Sequence, residues 1–325
     1  MMIESEVNIN SSHFYMRNPD VVILETDQST LFLDVEGHVL RLDGGDPVNC
    51  SQSLQKLLAP TPGADLIGRL TKNPSVVANN FQLLIEKGII FESASLAGLA
   101  KRRDSVFTNN LGYYLERGQP RCRNLVLGIT GSVVSGLMAP VLLSLLCSGF
   151  QEQLDVVLTE TALKFVTRDL LESYGVRTWV DKFERRDGIT VPHVSLAQSA
   201  DCLFVMPATA ACCSRLASGD CSDLLSLTVA ATTAPVVLAP TMNEAMWNHP
   251  PVQRNMQLLR ESGFYIVEPS FIFSAADMNN KGAPMYGGPG TFWRGPLGVM
   301  HSISAVIEDH CDRRRLDGPN IRTAQ

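Results

Sequence analysis

Four loops in the chain combine residue types suited to gripping a phosphate, a flat ring and a carboxylate. Gly128-Ile129-Thr130-Gly131-Ser132 joins an apolar strand pattern to a helical one. Glycine allows a tight turn with close backbone approach, and Ser132 with the free N–H groups of the helix start can hold a phosphate at the positive end of the helix dipole. The spacing is not G-x-G-x-x-G, so a plain tight turn stands beside the phosphate reading. A second strand pattern ends at Thr159, whose hydroxyl could share that phosphate or simply cap the next helix, which carries Lys164-Phe165. Pro207-Ala208-Thr209-Ala210-Ala211 closes a further strand with side chains small enough for a flat ring to lie against the backbone. Pro240-Thr241-Met242-Asn243-Glu244-Ala245-Met246-Trp247 closes another. Asn243 can offer both a donor and an acceptor there, while Met and Trp can wall an apolar ring.

These loops need a frame that brings strand ends together, and the chain from 123 onward supplies one. NLVLGIT, LDVVLT, VRTWV, DCLFVMPA and APVVLAP read as strands, and GSVVSGLMAPVLLSLLCSG, ETALKFVTRDLLESYG and TAACCSRLASG as helices between them. Continuous apolar strands alternating with helices predict a doubly wound α/β domain, its parallel sheet covered on both faces. Such sheets bind ligands beyond the carboxyl ends of their strands.

The first 95 residues have a different texture. DVVILET and TLFLDVEGHVLRL alternate as strands around a turn at Glu36-Gly37, SQSLQKLLA, ADLIGRLTK and SVVANNFQLLIEKG carry helical spacing with Gly88 as a stop, and IIFES returns as a strand. This order predicts a small winged-helix-like α+β domain over 1–95. Residues 96–122 are polar, contain Gly118-Gln119-Pro120, and read as a linker; Lys101-Arg102-Arg103 within them reads as a solvated face.

Composition narrows the function classes. With 325 residues, 45% hydrophobic and 18% charged, the chain is long enough for two cores and too apolar to be disordered. A net charge of −6 leaves no basic surplus for nucleic acid. Apolar runs break well before the ~20 residues of a membrane span, and the start lacks a signal-peptide pattern, so a cytoplasmic protein is expected. The eight cysteines form no C-x-x-C pair and sit mostly in apolar segments, so reduced core thiols are expected and no metal site.

From 123 to about 310 the chain resembles the homo-oligomeric flavin-containing cysteine decarboxylases, the family of phosphopantothenoylcysteine decarboxylase and the epidermin-type peptidyl-cysteine decarboxylases. The octapeptide at 240–247 matches the family's P-x-M-N-x-x-M-W in full. MPATAACCSRLASGDCSDLL resembles its PASANT segment and following G-x-C-D-x-L-L turn, and PHVSLAQSAD resembles the segment of its active-site histidine. The resemblance implies FMN, bound through Gly131, Ser132, Thr159, Phe165, Pro207, Ala208, Thr209 and Met242. It places the general base on His193, a role suited to an imidazole titrating near ~6.5. Asn243 is then expected to orient the substrate carboxylate, with Met246 beside it. His13, His38, His249, His301 and His310 have no such context and read as structural. The implied reaction is oxidative decarboxylation of the C-terminal cysteine of a ribosomally made precursor peptide to an aminoenethiol, in a trimer or dodecamer where His193 serves a neighbouring copy's site.

Two departures qualify this. PASANT stands here as PATAAC, so Ala211 replaces the family's Asn. Residues 268–297, expected to form a Gly-rich lid, contain no cysteine of the kind phosphopantothenoylcysteine decarboxylases use to reduce the enethiol. A phosphopantothenoylcysteine decarboxylase-like enzyme, a flavin prenyltransferase-like enzyme and a non-catalytic flavoprotein regulatory subunit remain the alternatives. Residues 20–93 resemble the leader-recognition domains typified by the pyrroloquinoline-quinone peptide chaperone, which implies capture of a leader peptide as an added strand. A capping or oligomerisation role is the other reading.

Overall fold

The computed structural model of the chain describes residues 9–18, 21–26, 29–33, 39–43, 54, 57, 61–70, 80–96, 98–99, 122–267, 271–272, 287–289 and 295–316. The chain divides into two units, Met1–Glu116 and Arg117–Gln325, at a point inside the 96–122 stretch.

The first unit contains β1 (Phe14–Arg17), β2 (Val22–Glu25), β3 (Ser29–Leu33), β4 (Val39–Asp43), β5 (Thr61–Pro62), α1 (Gly63–Leu70), α2 (Phe81–Glu86) and β6 (Ile90–Ser93). The strands flanking Glu36-Gly37 pair as anticipated, with Ser29 opposite Asp43 and Leu33 opposite Val39, and β2 pairs with the other side of β3. β1 was not apparent from alternation. Its four residues lie between β5 and β6, all antiparallel, so it is defined by partners far along the chain. Gly88, at φ +69°, ends α2 in a left-handed conformation that suits glycine. Of the helix expected over 51–59, only Leu54 and Leu57 lie within the described residues. Both are buried in a core with Tyr15, Ile23, Phe32 and Phe81. Tyr15 and Phe81 meet edge to face, their centroids 5.5 Å apart.

The second unit contains β7 (Cys122–Ile129), α3 (Met138–Ser148), β8 (Gln151–Leu158), α4 (Arg168–Ser173), β9 (Arg177–Trp179), α5 (Pro192–Ser199), β10 (Cys202–Ala208), α6 (Ala210–Ala217), α7 (Leu224–Ala231), β11 (Val236–Pro240), α8 (Glu244–Trp247), α9 (Pro250–Glu261), β12 (Tyr265–Val267) and, later, α10 (Gly295–Leu316). Its strands run parallel in the order β12-β11-β10-β7-β8-β9. This is a doubly wound sheet whose order reverses between β7 and β10, the point where such folds open a crevice. Every residue of β10 and β11 is buried, as strands covered on both faces require. Val126, Val157, Leu203, Val205, Leu238 and Ile266 meet helix residues such as Leu196, Leu225 and Leu259 in one core.

Two expected helices are shorter than their apolar spacing suggests. The one over 131–149 begins as a 3₁₀ turn, Val133–Leu137, with α3 starting only at Met138; Pro140 then sits in its first turn, where a missing N–H costs nothing. The one over 160–175 is broken at Thr167, whose hydroxyl accepts the N–H of Leu170 and caps α4. Phe165 consequently ends a 3₁₀ turn, Ala162–Lys164, and does not ride on a helix face.

Cys122, Cys202, Cys212 and Cys213 are buried free thiols, whereas Cys147, Cys221 and Cys311 are exposed. Among the described residues, no helix is long and apolar enough to cross a membrane. The Lys101-Arg102-Arg103 run, Cys50 and most of the 268–297 stretch lie outside the described residues.

Candidate functional site

At the switch point, two strand ends that are far apart in sequence are tied together by one hydroxyl. Thr130, just beyond β7, donates to the carbonyl of Pro207 in β10 at 2.7 Å and accepts the N–H of Thr209 at 3.1 Å. Thr209 in turn accepts the N–H of Cys212 and caps α6. The N–H of Thr241 donates to Ala208 O at 2.9 Å, which brings the end of β11 to the same edge.

The loop after β7 is fixed from its own side. Ser132 and Ser135 form a reciprocal capping box, and the Ser135 hydroxyl donates to Thr130 O at 2.6 Å. Gly131 is pressed against the loop after β8: a Cβ there would lie 2.3 Å from Thr161 Cγ2. Only glycine permits this approach. Thr159 donates its N–H to Ile129 O at 3.1 Å, and its own carbonyl and hydroxyl both accept the N–H of Ala162.

A cavity of about 600 Å³ opens over this edge, walled by the loops after β7, β8 and β9 and by the starts of α6, α7 and α8. Of the residues singled out in the sequence, Gly131, Thr159, Thr209 and Met246 line it. Ser132 adjoins the wall as the partly buried cap of the 3₁₀ turn. Pro207, Ala208 and Met242 are buried behind it, with Ala208 and Met242 in the main core. Asn243 is exposed, and its Oδ1 accepts the N–H of Met246 at 2.8 Å. Asn243 itself is not on the cavity wall, which this segment reaches through Met246. Phe165 is 40% exposed and is not on the wall.

His193 is not on the cavity wall either. It is half-buried in the first turn of α5, and its Nδ1 is buried with no hydrogen-bond partner among the described residues. Five charged side chains on the wall were not anticipated: Glu160, Asp181, Lys182, Arg215 and Asp223. Lys182 Nζ donates to Ser222 O at 2.8 Å, and Arg215 pairs with Asp223. The wall also carries the Cys212 thiol. Burial, with Asp223 adding to it and Arg215 opposing, pushes this thiol up to about 12, so at neutral pH it is a protonated S–H rather than a nucleophile. Thr130 lies within the Gly128–Ser132 loop, and a hydroxyl at a strand end is the sequence signal that marks it. The charged side chains come from three separate loops and, for Arg215, from helix α6, with no local signal.

The family model described as Flavoprotein matches residues 115–285. The coenzyme A biosynthesis bifunctional protein CoaBC of Bacillus subtilis (strain 168) is 34% identical over 163 residues, 49% of this chain and 39% of that protein. Its counterpart in Haemophilus influenzae is 32% identical over 161 residues, 49% of this chain and 40% of that protein. The chain thus spans about two fifths of the length of these curated relatives. Among solved structures, the FMN-dependent cysteine decarboxylase SpaF is 33% identical with a TM-score of 0.46, covering 58% of this chain and 97% of that one. The family match takes in more than half of the chain, from the approach to β7 through the strand ends that wall the cavity, and the chain therefore belongs to the Flavoprotein family.

Proposed function

We propose that the chain is an FMN-dependent cysteine decarboxylase that acts on the C-terminal cysteine of a ribosomally made precursor peptide and leaves an aminoenethiol. The observation that carries the reading is the cavity at the switch point, lined by Gly131, Thr159, Thr209 and Met246.

The residues present suit a flavin. The volume of about 600 Å³ falls within the roughly 300–1,000 Å³ of small-molecule sites. Gly131 and Thr159 border the cavity side by side, which suits a phosphate held by main-chain N–H groups together with the hydroxyls of Ser132 and Thr159. When bound, FMN supplies a two-electron acceptor for oxidation of the cysteine side chain, after which CO2 can leave. The protein must hold the carboxylate and take the thiol proton. Asn243 offers Nδ2 to the carboxylate, since its Oδ1 is already committed to Met246. His193 takes the proton on a ring nitrogen. Because it lies off the wall of its own protomer's cavity, it serves the site of an adjoining copy in a trimer or dodecamer. The first unit holds the leader of the same peptide.

A second reading takes phosphopantothenoylcysteine as substrate, favoured by the similarity to the coenzyme A biosynthesis proteins. Incubating the flavin-loaded protein with Cys-terminated peptides and, separately, with phosphopantothenoylcysteine decides between them. Peptides are expected to lose the mass of CO2 plus two hydrogens, and loss from the small substrate alone supports the second reading. His193→Asn is expected to keep the flavin absorbance and to lower turnover at least about a hundredfold. Unchanged turnover removes His193 from the mechanism.

A further inference from the structure

We propose that Arg215 anchors the charge of the substrate carboxylate that Asn243 orients, and that Asp223 competes with the substrate for it. The identity of the anion rests on the cysteine-decarboxylase reading, which this assignment deepens.

The starting point is α6. Ala210, Ala211, Cys212 and Arg215 all reach the cavity wall from it. Ala211 and Arg215 are four residues apart, so their side chains share a face one turn apart. At 211 a methyl stands where the resemblance puts an amide, and the neighbouring Cys212 is a buried thiol, a weak donor. The guanidinium of Arg215 is therefore the strong hydrogen-bond donor that this helix presents to the cavity.

Its surroundings hold it ready without saturating it. Nη1 donates to Asp223 Oδ2, and Nε lies 3.7 Å from Asp220 Oδ2, beyond hydrogen-bond reach. Nη2 has no partner among the described residues, and the side chain is 31% exposed. Asp223 is itself immobilised: its Oδ1 accepts the N–H of Ser226 at 2.8 Å, and together they form the capping box of α7. A fixed acid thus orients an arginine whose remaining donors form the planar fork that binds a carboxylate in two places. Lys182, the other cation on the wall, is a point charge already donating to Ser222 O.

The arrangement separates substrate from product. The reaction removes the carboxylate, so the product lacks the group Arg215 would hold, and the Arg215–Asp223 pair closes again. Asp223 also limits how tightly the ground-state carboxylate is held, which matters because uniform stabilisation of the anion does not speed its loss.

The test measures binding to the flavin-loaded full chain of a short synthetic peptide ending in cysteine, as the free acid and as the C-terminal amide. Wild type is expected to prefer the acid by at least about tenfold. Arg215→Gln is expected to abolish that preference and to raise KM more than it lowers kcat. Asp223→Asn keeps an N-cap residue of equal quality but removes the competing charge, and is expected to strengthen the preference. Lys182→Gln is expected to leave it unchanged. Should Arg215→Gln fail to fold by flavin content and melting, Asp223→Asn and Arg215→Lys carry the test, the latter losing part of the preference. An acid preference that survives in the Arg215 variant, one unmoved by Asp223→Asn, or a wild type that binds neither peptide overturns the proposal. CO2 loss with no role for Arg215 sinks the anchor alone, whereas an Arg215-dependent preference without CO2 loss sinks the decarboxylase reading alone.

Discussion

Thr130 and Gly131 are adjacent, yet they constrain the cavity in different ways. Thr130 is 2% exposed, and its hydroxyl serves Pro207 O and the N–H of Thr209 together. Thr130→Val keeps the shape and strands both groups, so it is expected to cost about 1–3 kcal/mol in chemical denaturation. Gly131 acts through an absence. Gly131→Val would drive carbon into Thr161, whose Cγ2 and Cβ lie 2.3 and 2.4 Å from the nearest position a Cβ could take. It is expected to separate the loops after β7 and β8 and to reduce flavin content at least about tenfold, at a stability cost of roughly 1–3 kcal/mol. A normal flavin content in that variant would remove Gly131 from the cofactor site. Gly131 was legible because a glycine between a strand and a helix is a local signal. The partners of Thr130 were not, since Pro207 lies 77 residues away and Thr209 lies 79.

The short edge strand β9 is held by polar ties, not by length. Asp155 on β8 is 1% exposed and accepts from Arg177 Nη2 at 2.7 Å, Trp179 Nε1 at 2.8 Å and Gln153 Nε2 at 2.7 Å. The Arg177 guanidinium also lies 5.5 Å from the centre of the Trp179 ring. Asp155→Ala leaves Arg177 and Trp179 without their acceptor and is expected to cost about 3 kcal/mol by urea unfolding. Beside it, Glu172 on α4 accepts from Thr178 Oγ1 at 2.6 Å, from Arg168 Nε at 2.9 Å and from Arg186 Nη1 at 2.5 Å. Hydrogen bonds from Thr178, Arg168 and Arg186 lower its carboxyl from 4.5 to about 2. A folded-state value below the unfolded one stabilises the protein fully above the unfolded value and is lost as pH falls through about 2. Glu172→Gln is therefore expected to flatten the acid limb of the stability profile across that window. An acid limb equal to wild type would show that the network contributes nothing. Apolar runs made the central strands legible, but they overstated α3 and α4, because spacing alone does not register the competition from Thr167 or the 3₁₀ start.

The protein has two units, Met1–Glu116 and Arg117–Gln325, and the proposed function assigns each of them one end of the same peptide. If the first unit holds the leader while the cavity holds the C-terminal cysteine, the second contact forms at high effective concentration. The full chain is then expected to bind a leader-bearing peptide at least about tenfold more tightly than the leaderless C-terminal fragment, as read by calorimetry. Equal affinities would leave the first unit a structural role. By itself, the sequence determined the class of fold, because strands buried on both faces must be continuously apolar and the helices between them must cover those faces. It also marked loops that border the cavity, since glycine, proline and small hydroxyl residues leave local marks at strand ends. Only the tertiary structure decided that β10 lies against β7, that Lys182, Arg215 and Asp223 converge on one wall, and that His193 does not. Strand order and convergence follow from which apolar surfaces bury together across long stretches of chain, and no local pattern records that choice.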